Sequence, residues 1–201
     1  WLEEKWNNGS TLMKVFLFLL GVLFLGCDSL KSVSLEVVPG IYSVFSVEGE
    51  RVGNSFYYKD TFILPEHVYE EGILIEGSRY EILLRDFARD VVFLMGKDVS
   101  KDMMKRTAGL SSRLPEIGME LYRWDGIGFE VHRVEAVDVS FEIHGSVKKN
   151  LLQLSGSVDP GVSGMPVFDQ KGVVYGMIMG SDRKKDQSYA VRSDIIKKML
   201  P

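Results

Sequence analysis

Residues 161–177 read "GVSGMPVFDQKGVVYGM". Ser163 stands in a loop between Gly161 and Gly164, and two short runs rich in β-branched and aromatic residues follow, Pro166-Val167-Phe168 and Val173-Val174-Tyr175. Between the runs lies Asp169-Gln170-Lys171-Gly172, a turn composition, so the stretch reads as a glycine-lined loop leading into a β-hairpin. Alone, a serine in such a loop is a polar turn residue. As a nucleophile it needs more: a neighbouring base, an acid to orient that base, and donors to receive negative charge. The rest of the chain decides between the two readings.

The chain has 201 residues, 45% of them hydrophobic and 26% charged, which suffices for one domain or a compact pair of subdomains with a real core. With 24 basic against 28 acidic residues, the net charge of -4 offers no basic face for nucleic acid. One cysteine excludes a disulfide framework, and three histidines without a cysteine cluster offer no structural zinc site. No cofactor or metal is implied.

From Met13 the chain reads "MKVFLFLLGVLFLGCDSL". Lys14 gives a basic start, residues 15–25 are apolar, and Gly26 precedes Cys27, a run too short for a permanent membrane span. This resembles a bacterial lipoprotein signal (13–26) cut before a cysteine that is then lipidated, with Phe24 where that family usually has leucine. The resemblance implies an anchor at Cys27, a tether over 27–35, and a place on a membrane of the bacterial cell envelope, at a periplasmic face or the cell surface. The charged lead "WLEEKWNNGSTL", residues 1–12, suits such a signal poorly and reads as a non-native extension.

Most of residues 36–201 reads as strands. "SLEVVPGIYSVFSVEG", "NSFYYKDTFIL", "RYEILLRDFARDVVFLMG" and "GFEVHRVEAVDVSFEIHG" show partial alternation with Gly or Asp at the joints, and Lys59-Asp60 has the look of a hairpin turn. Residues 97–116 are polar and irregular, a surface loop near the boundary between two halves (100–116). Only the end is helical in pattern: Ser193 is placed to cap "DIIKKML", with Ile195, Ile196, Met199 and Leu200 on one face. The fold class expected is all-β, two six-stranded barrels with a short C-terminal helix.

The hairpin after Ser163 separates two serine architectures. The nucleophile elbow of α/β-hydrolases is G-x-S-x-G followed by a helix; here Met165 replaces the last glycine and strands follow. The stretch "VDPGVSGMPVFDQKGVVYGM" instead resembles the trypsin/chymotrypsin-like serine proteases, most closely their bacterial HtrA-type branch, whose signature is G-x-S-G-x-P before such a hairpin. "GNSF" at 53–56 resembles the "GSGF" of the first barrel, and "YAVRSDIIKKML" the family's last strand and helix. "FILPEHVYEEG" resembles the strand ending in "LTAAHV", which implies His67 as general base. Glu66 beside it either raises the imidazole pKa or points to solvent. "RDVVFLMG" resembles the motif of an acid before an apolar strand, which implies Asp90; Asp86 lacks the apolar run behind it and Asp98 follows that run. His132 and His144 sit in alternating strand patterns with no such context.

The resemblance implies a catalytic set of His67, Asp90 and Ser163, with the imidazole within hydrogen-bond reach of both partners. It implies an oxyanion hole from the N–H groups of Gly161 and Ser163, and a specificity pocket near Ser157, Ile178, Met179 and Gly180. No carboxylate is expected at the pocket base, so a small or apolar residue is favoured over Arg or Lys. The function expected is that of a membrane-anchored serine endopeptidase acting on a protein or peptide through an acyl-enzyme. The alternative is a protease-fold lipoprotein without catalysis, serving as a binding module.

Overall fold

The computed structural model of the chain describes residues 38–96, 99, 107–143 and 145–200. Residues 1–12, the signal, Cys27, the whole tether, Asp98 and His144 lie outside these residues.

The first sheet holds β1 (Ile41–Phe45), β2 (Arg51–Tyr58), β3 (Thr61–Leu64), β4 (Leu74–Ile75), β5 (Glu81–Asp86) and β6 (Val91–Met95). All its pairings are antiparallel, in the order β4-β1-β2-β3-β6-β5. Lys59 and Asp60 make the expected turn between β2 and β3. Tyr58 pairs with Thr61, and both turn residues have positive φ, 44° and 58°, as a two-residue hairpin of the primed class requires. β3 lies between β2 and β6 and is buried along its whole length, which is why "TFIL" carries no alternation. Phe62 is the hub of this core, with ring centroids of Tyr42, Tyr57 and Tyr80 at 5.5, 5.1 and 4.7 Å.

The second sheet holds β7 (Gly109–Leu110), β8 (Glu120–Trp124), β9 (Phe129–Ile143), β10 (Ser146–Ser155), β11 (Pro166–Phe168), β12 (Val173–Asp182) and β13 (Gln187–Arg192). Its order is β11-β8-β9-β10-β13-β12-β7, and a further β11–β12 pairing joins six strands into a closed ring around Leu121, Leu152, Leu154, Val167, Ile178 and Ala190. The all-β double barrel is thus what the chain forms. The seventh strand was not expected: Gly109 and Leu110, inside the stretch read as an irregular loop, run parallel to Val173 and Val174. A two-residue strand leaves no alternation to read.

The chain closes with α1 (Ser193–Met199). Ser193 is not its cap. Its buried hydroxyl donates to the Ser111 carbonyl at 3.1 Å, and Arg192 holds the cap position without a side-chain capping bond. A distant carbonyl has outcompeted the local backbone for this hydroxyl, an outcome that cap preference alone does not foresee.

Candidate active site

β3 ends at Leu64, Pro65 blocks its continuation, and a single 3-10 turn, Glu66–Val68, lifts His67 off the sheet. β6 pairs with β3, Leu64 against Val92, so the residue before β6 lies under that turn. That residue is Asp90, only 1% exposed, with a φ of 58° that few non-glycine residues adopt. Three bonds account for it. Its carbonyl accepts Glu66 N–H at 3.1 Å, its Oδ1 accepts His67 N–H at 2.8 Å, and its Oδ2 meets His67 Nδ1 at 2.6 Å. A carboxylate accepting Nδ1–H fixes the tautomer and puts the lone pair on Nε2, where a general base needs it.

The other acids near the site are otherwise engaged. Glu66 does not simply point to solvent: its Oε1 pairs with Arg85, whose guanidinium lies over the Tyr69 ring. Asp86 accepts from the backbone and side chain of Arg89 at 2.9 and 2.5 Å.

Ser163 is built from the other sheet and docked on the first. Gly161 and Gly164 have φ of 84° and 91°, conformations that favour glycine. At Gly164 there is a second reason: a Cβ there would lie 1.8 Å from the Asn54 carbonyl oxygen and 3.1 Å from Pro65 Cδ. The serine loop therefore abuts both β2 and the proline that opens the His67 turn. Asn54 holds it by its backbone N–H to the Ser163 carbonyl at 2.8 Å, and by its side-chain amide to the Gly161 carbonyl at 2.8 Å. Gly53 is needed beside it, since a Cβ would meet Val68 Cγ1 at 2.7 Å and the Ser163 carbonyl at 3.1 Å. On the far side, Gly164 N–H donates to the Ile178 carbonyl at 2.8 Å, tying the loop to β12. Among the described residues, neither the Gly161 N–H nor the Ser163 N–H donates to a protein acceptor. The Ser163 hydroxyl is 3.4 Å from the Met179 carbonyl.

A cavity of about 290 Å³ opens at Ser163. Of the residues named for a specificity pocket, Met179 and Gly180 line it, and Ile178 and Ser157 do not. Ile178 belongs to the second barrel's core and is fully buried. Ser157 turns its N–H and hydroxyl to Asp186 Oδ1, at 2.9 and 3.0 Å. The wall that sequence reading missed is the end of β9, Phe141, Glu142 and Ile143, together with Val158 and Pro160. At its rim an exposed Asp159 pairs with Arg183 at 3.1 Å. The carboxylates that do line the cavity, Glu142 and Asp159, were not foreseen as pocket groups.

His132 is far from an idle strand residue. It is buried in the second barrel, Nδ1 on the Ser155 carbonyl at 2.7 Å and Nε2 receiving Arg123 Nε at 3.4 Å. Burial pushes its pKa below the ordinary 6.5, with the Arg123 charge adding to the effect and the Ser155 bond opposing it.

No protein-family model matches the chain, and no curated protein matches it by sequence. Solved structures do match by shape. The active form of the Rv3671c protease from M. tuberculosis superposes with a TM-score of 0.64 at 17% identity, covering 84% of this chain and 82% of that one. A chymotrypsin from Cellulomonas bogoriensis gives 0.60 at 15% identity, over 81% and 94% of the two chains. The HtrA-type protease AlgW, solved with a decapeptide, gives 0.62 at 12%, over 83% of this chain and 64% of its own length. The fold of the chain is the chymotrypsin-like double β-barrel that these serine proteases share.

Proposed function

We propose that the protein is a serine endopeptidase in which Ser163 is the nucleophile, His67 the general base and then acid, and Asp90 the group that orients the imidazole. The observation that carries this reading is the buried Asp90 carboxylate, spent on the backbone and Nδ1 of one histidine at the seam where the serine loop docks. In the step envisaged, Nε2 takes the Ser163 proton as Oγ attacks the peptide carbonyl. The tetrahedral oxyanion is received by the N–H groups of Gly161 and Ser163, a contribution worth about 10²–10³-fold in rate per donor. The proton passes to the leaving amine, an ester remains on Oγ, and water attacks it with His67 again as base. No metal or cofactor enters.

A second reading, a binding module without catalysis, is favoured by the 3.4 Å approach of the Ser163 hydroxyl to the Met179 carbonyl, which would direct its proton away from His67. A fluorophosphonate probe decides. Labelling of the natural chain and none of Ser163→Ala supports the endopeptidase; equal absence of labelling in both supports the module.

We propose further that Cys27 carries a lipid that holds the domain to an envelope membrane. The support is the basic-apolar-small pattern of residues 13–27. Cys27→Ala should move the protein from the membrane fraction to the soluble one, and a chain that stays with the membrane would refute the anchor.

A further inference from the structure

The turn that carries Asp90 and the end of the β9–β10 hairpin enclose a second open cavity, of about 470 Å³, lined by Phe87, Arg89, Val147, Lys148, Lys149 and Asn150. Its charges do not balance. Lys148 is only 9% exposed, and its ammonium donates to the Phe87 carbonyl at 2.7 Å. Among the described residues no carboxylate lies within ion-pair distance of it, nor of the exposed Lys149. A carbonyl satisfies one of three ammonium donors and none of the charge, so an anion entering this open cavity meets spare donors and an uncompensated positive charge.

The nearby acids are engaged elsewhere. Asp86 is on Arg89, Glu66 is on Arg85, and Glu142, which pairs with Val147 in the hairpin register, lines the Ser163 cavity instead. Two exposed apolar side chains stand at the mouth, Phe87 at 61% and Val147 at 60% exposure. An inorganic anion has no use for them, whereas a peptide does.

The two cavities flank one hairpin end. Phe141, Glu142 and Ile143 wall the Ser163 cavity, Ser146 to Asn150 wall this one, and Phe141 pairs directly with Lys148. We propose that this basic cavity binds an acidic side chain of a peptide lying in the Ser163 cleft, next to an apolar residue that rests on Phe87 and Val147. The inference rests on the peptidase reading for the peptide's presence, and on the unbalanced lysines for its charge.

The test is peptide binding to the full chain carrying Ser163→Ala, which needs no turnover. The probes are two fluorescein-labelled dodecapeptide mixtures, alike except that Asp and Glu in one are Asn and Gln in the other, read by fluorescence anisotropy at low salt. The acidic mixture should bind about tenfold tighter, as charge-assisted hydrogen bonds allow. That preference should fall below about threefold in Lys148→Met and, should the buried change fail to fold, in the surface variant Lys149→Glu. Equal affinity for the two mixtures, or a preference that neither variant touches, would overturn the proposal. So would competition by inorganic phosphate without any preference between the mixtures, the mark of a general anion site. If Ser163→Ala keeps the acidic preference while the natural chain takes no fluorophosphonate, this site is supported and the peptidase refuted. If the natural chain labels but Ser163→Ala shows no preference, this site alone is refuted.

Discussion

Asp90 sits at a φ of 58° with both carboxylate oxygens and its carbonyl engaged by the His67 turn. Asparagine tolerates the same backbone and nearly the same volume, but its amide cannot accept at both atoms. Asp90→Asn is therefore expected to leave the melting curve nearly in place while fluorophosphonate labelling slows by on the order of 10⁴-fold, because the imidazole is no longer held in the useful tautomer. Asn54 acts one step further out. Replacing it by alanine removes the donor to the Gly161 carbonyl and loosens the serine loop. A loss of about 1–3 kcal/mol in denaturant unfolding is expected, with slower labelling by the fraction that remains folded. The residues of this site differ in how openly the sequence declares them. His67, Asp90 and Ser163 each sit in a short stretch whose turn and strand chemistry is local, and the hydrogen bond between the first two is present in the fold. Asn54 works through contacts to residues 107 and 109 positions away, a distance over which spacing carries no information.

At the scale of elements, the hairpin of β9 and β10 shows where reading by period runs out. Its register shifts at three places, so faces assigned by alternation at one end are wrong at the other, and the wall made by Phe141 and Ile143 is invisible to a period-2 reading. β12 slips likewise between Ile178 and Gly180, which is why Ile178 belongs to the core while Met179 and Gly180 face the cavity. The hairpin also leads to an expected acid sensitivity. His132 is buried among Arg123, Glu130 and the Ser155 carbonyl, and burial holds its pKa below the ordinary 6.5. Below that value the unfolded chain binds a proton that the folded chain refuses. Stability should therefore fall as the pH is lowered from 6.5 through the folded-state value. Urea unfolding of the natural chain and of His132→Gln at pH 7 and pH 5 checks the sign. The variant should lose less between the two, and an identical slope would remove His132 from the account.

Across the whole molecule, the two sheets divide the work. The first supplies His67 and Asp90 from the ends of β3 and β6, the second supplies Ser163 and the cavity, and Asn54 of β2 ties them together. The architecture was legible because strand and turn chemistry recur along the chain, in "YYKDTF" and "FDQKGV" above all. Pairing of β11 with the distant β8, Phe168 against Tyr122, and the parallel strand at Gly109 arise only from packing. Phe62 is fully buried at the centre of the first core, so Phe62→Ala should cost about 3–5 kcal/mol of stability and weaken the hold on His67 and Asp90 together. The most direct test of the central claim is peptide mapping by mass spectrometry after treatment with diisopropyl fluorophosphate. The account predicts one adduct, on the Ser163 hydroxyl, absent when the same treatment is given to His67→Ala. No adduct, or an adduct on another serine that survives the loss of His67, would contradict it.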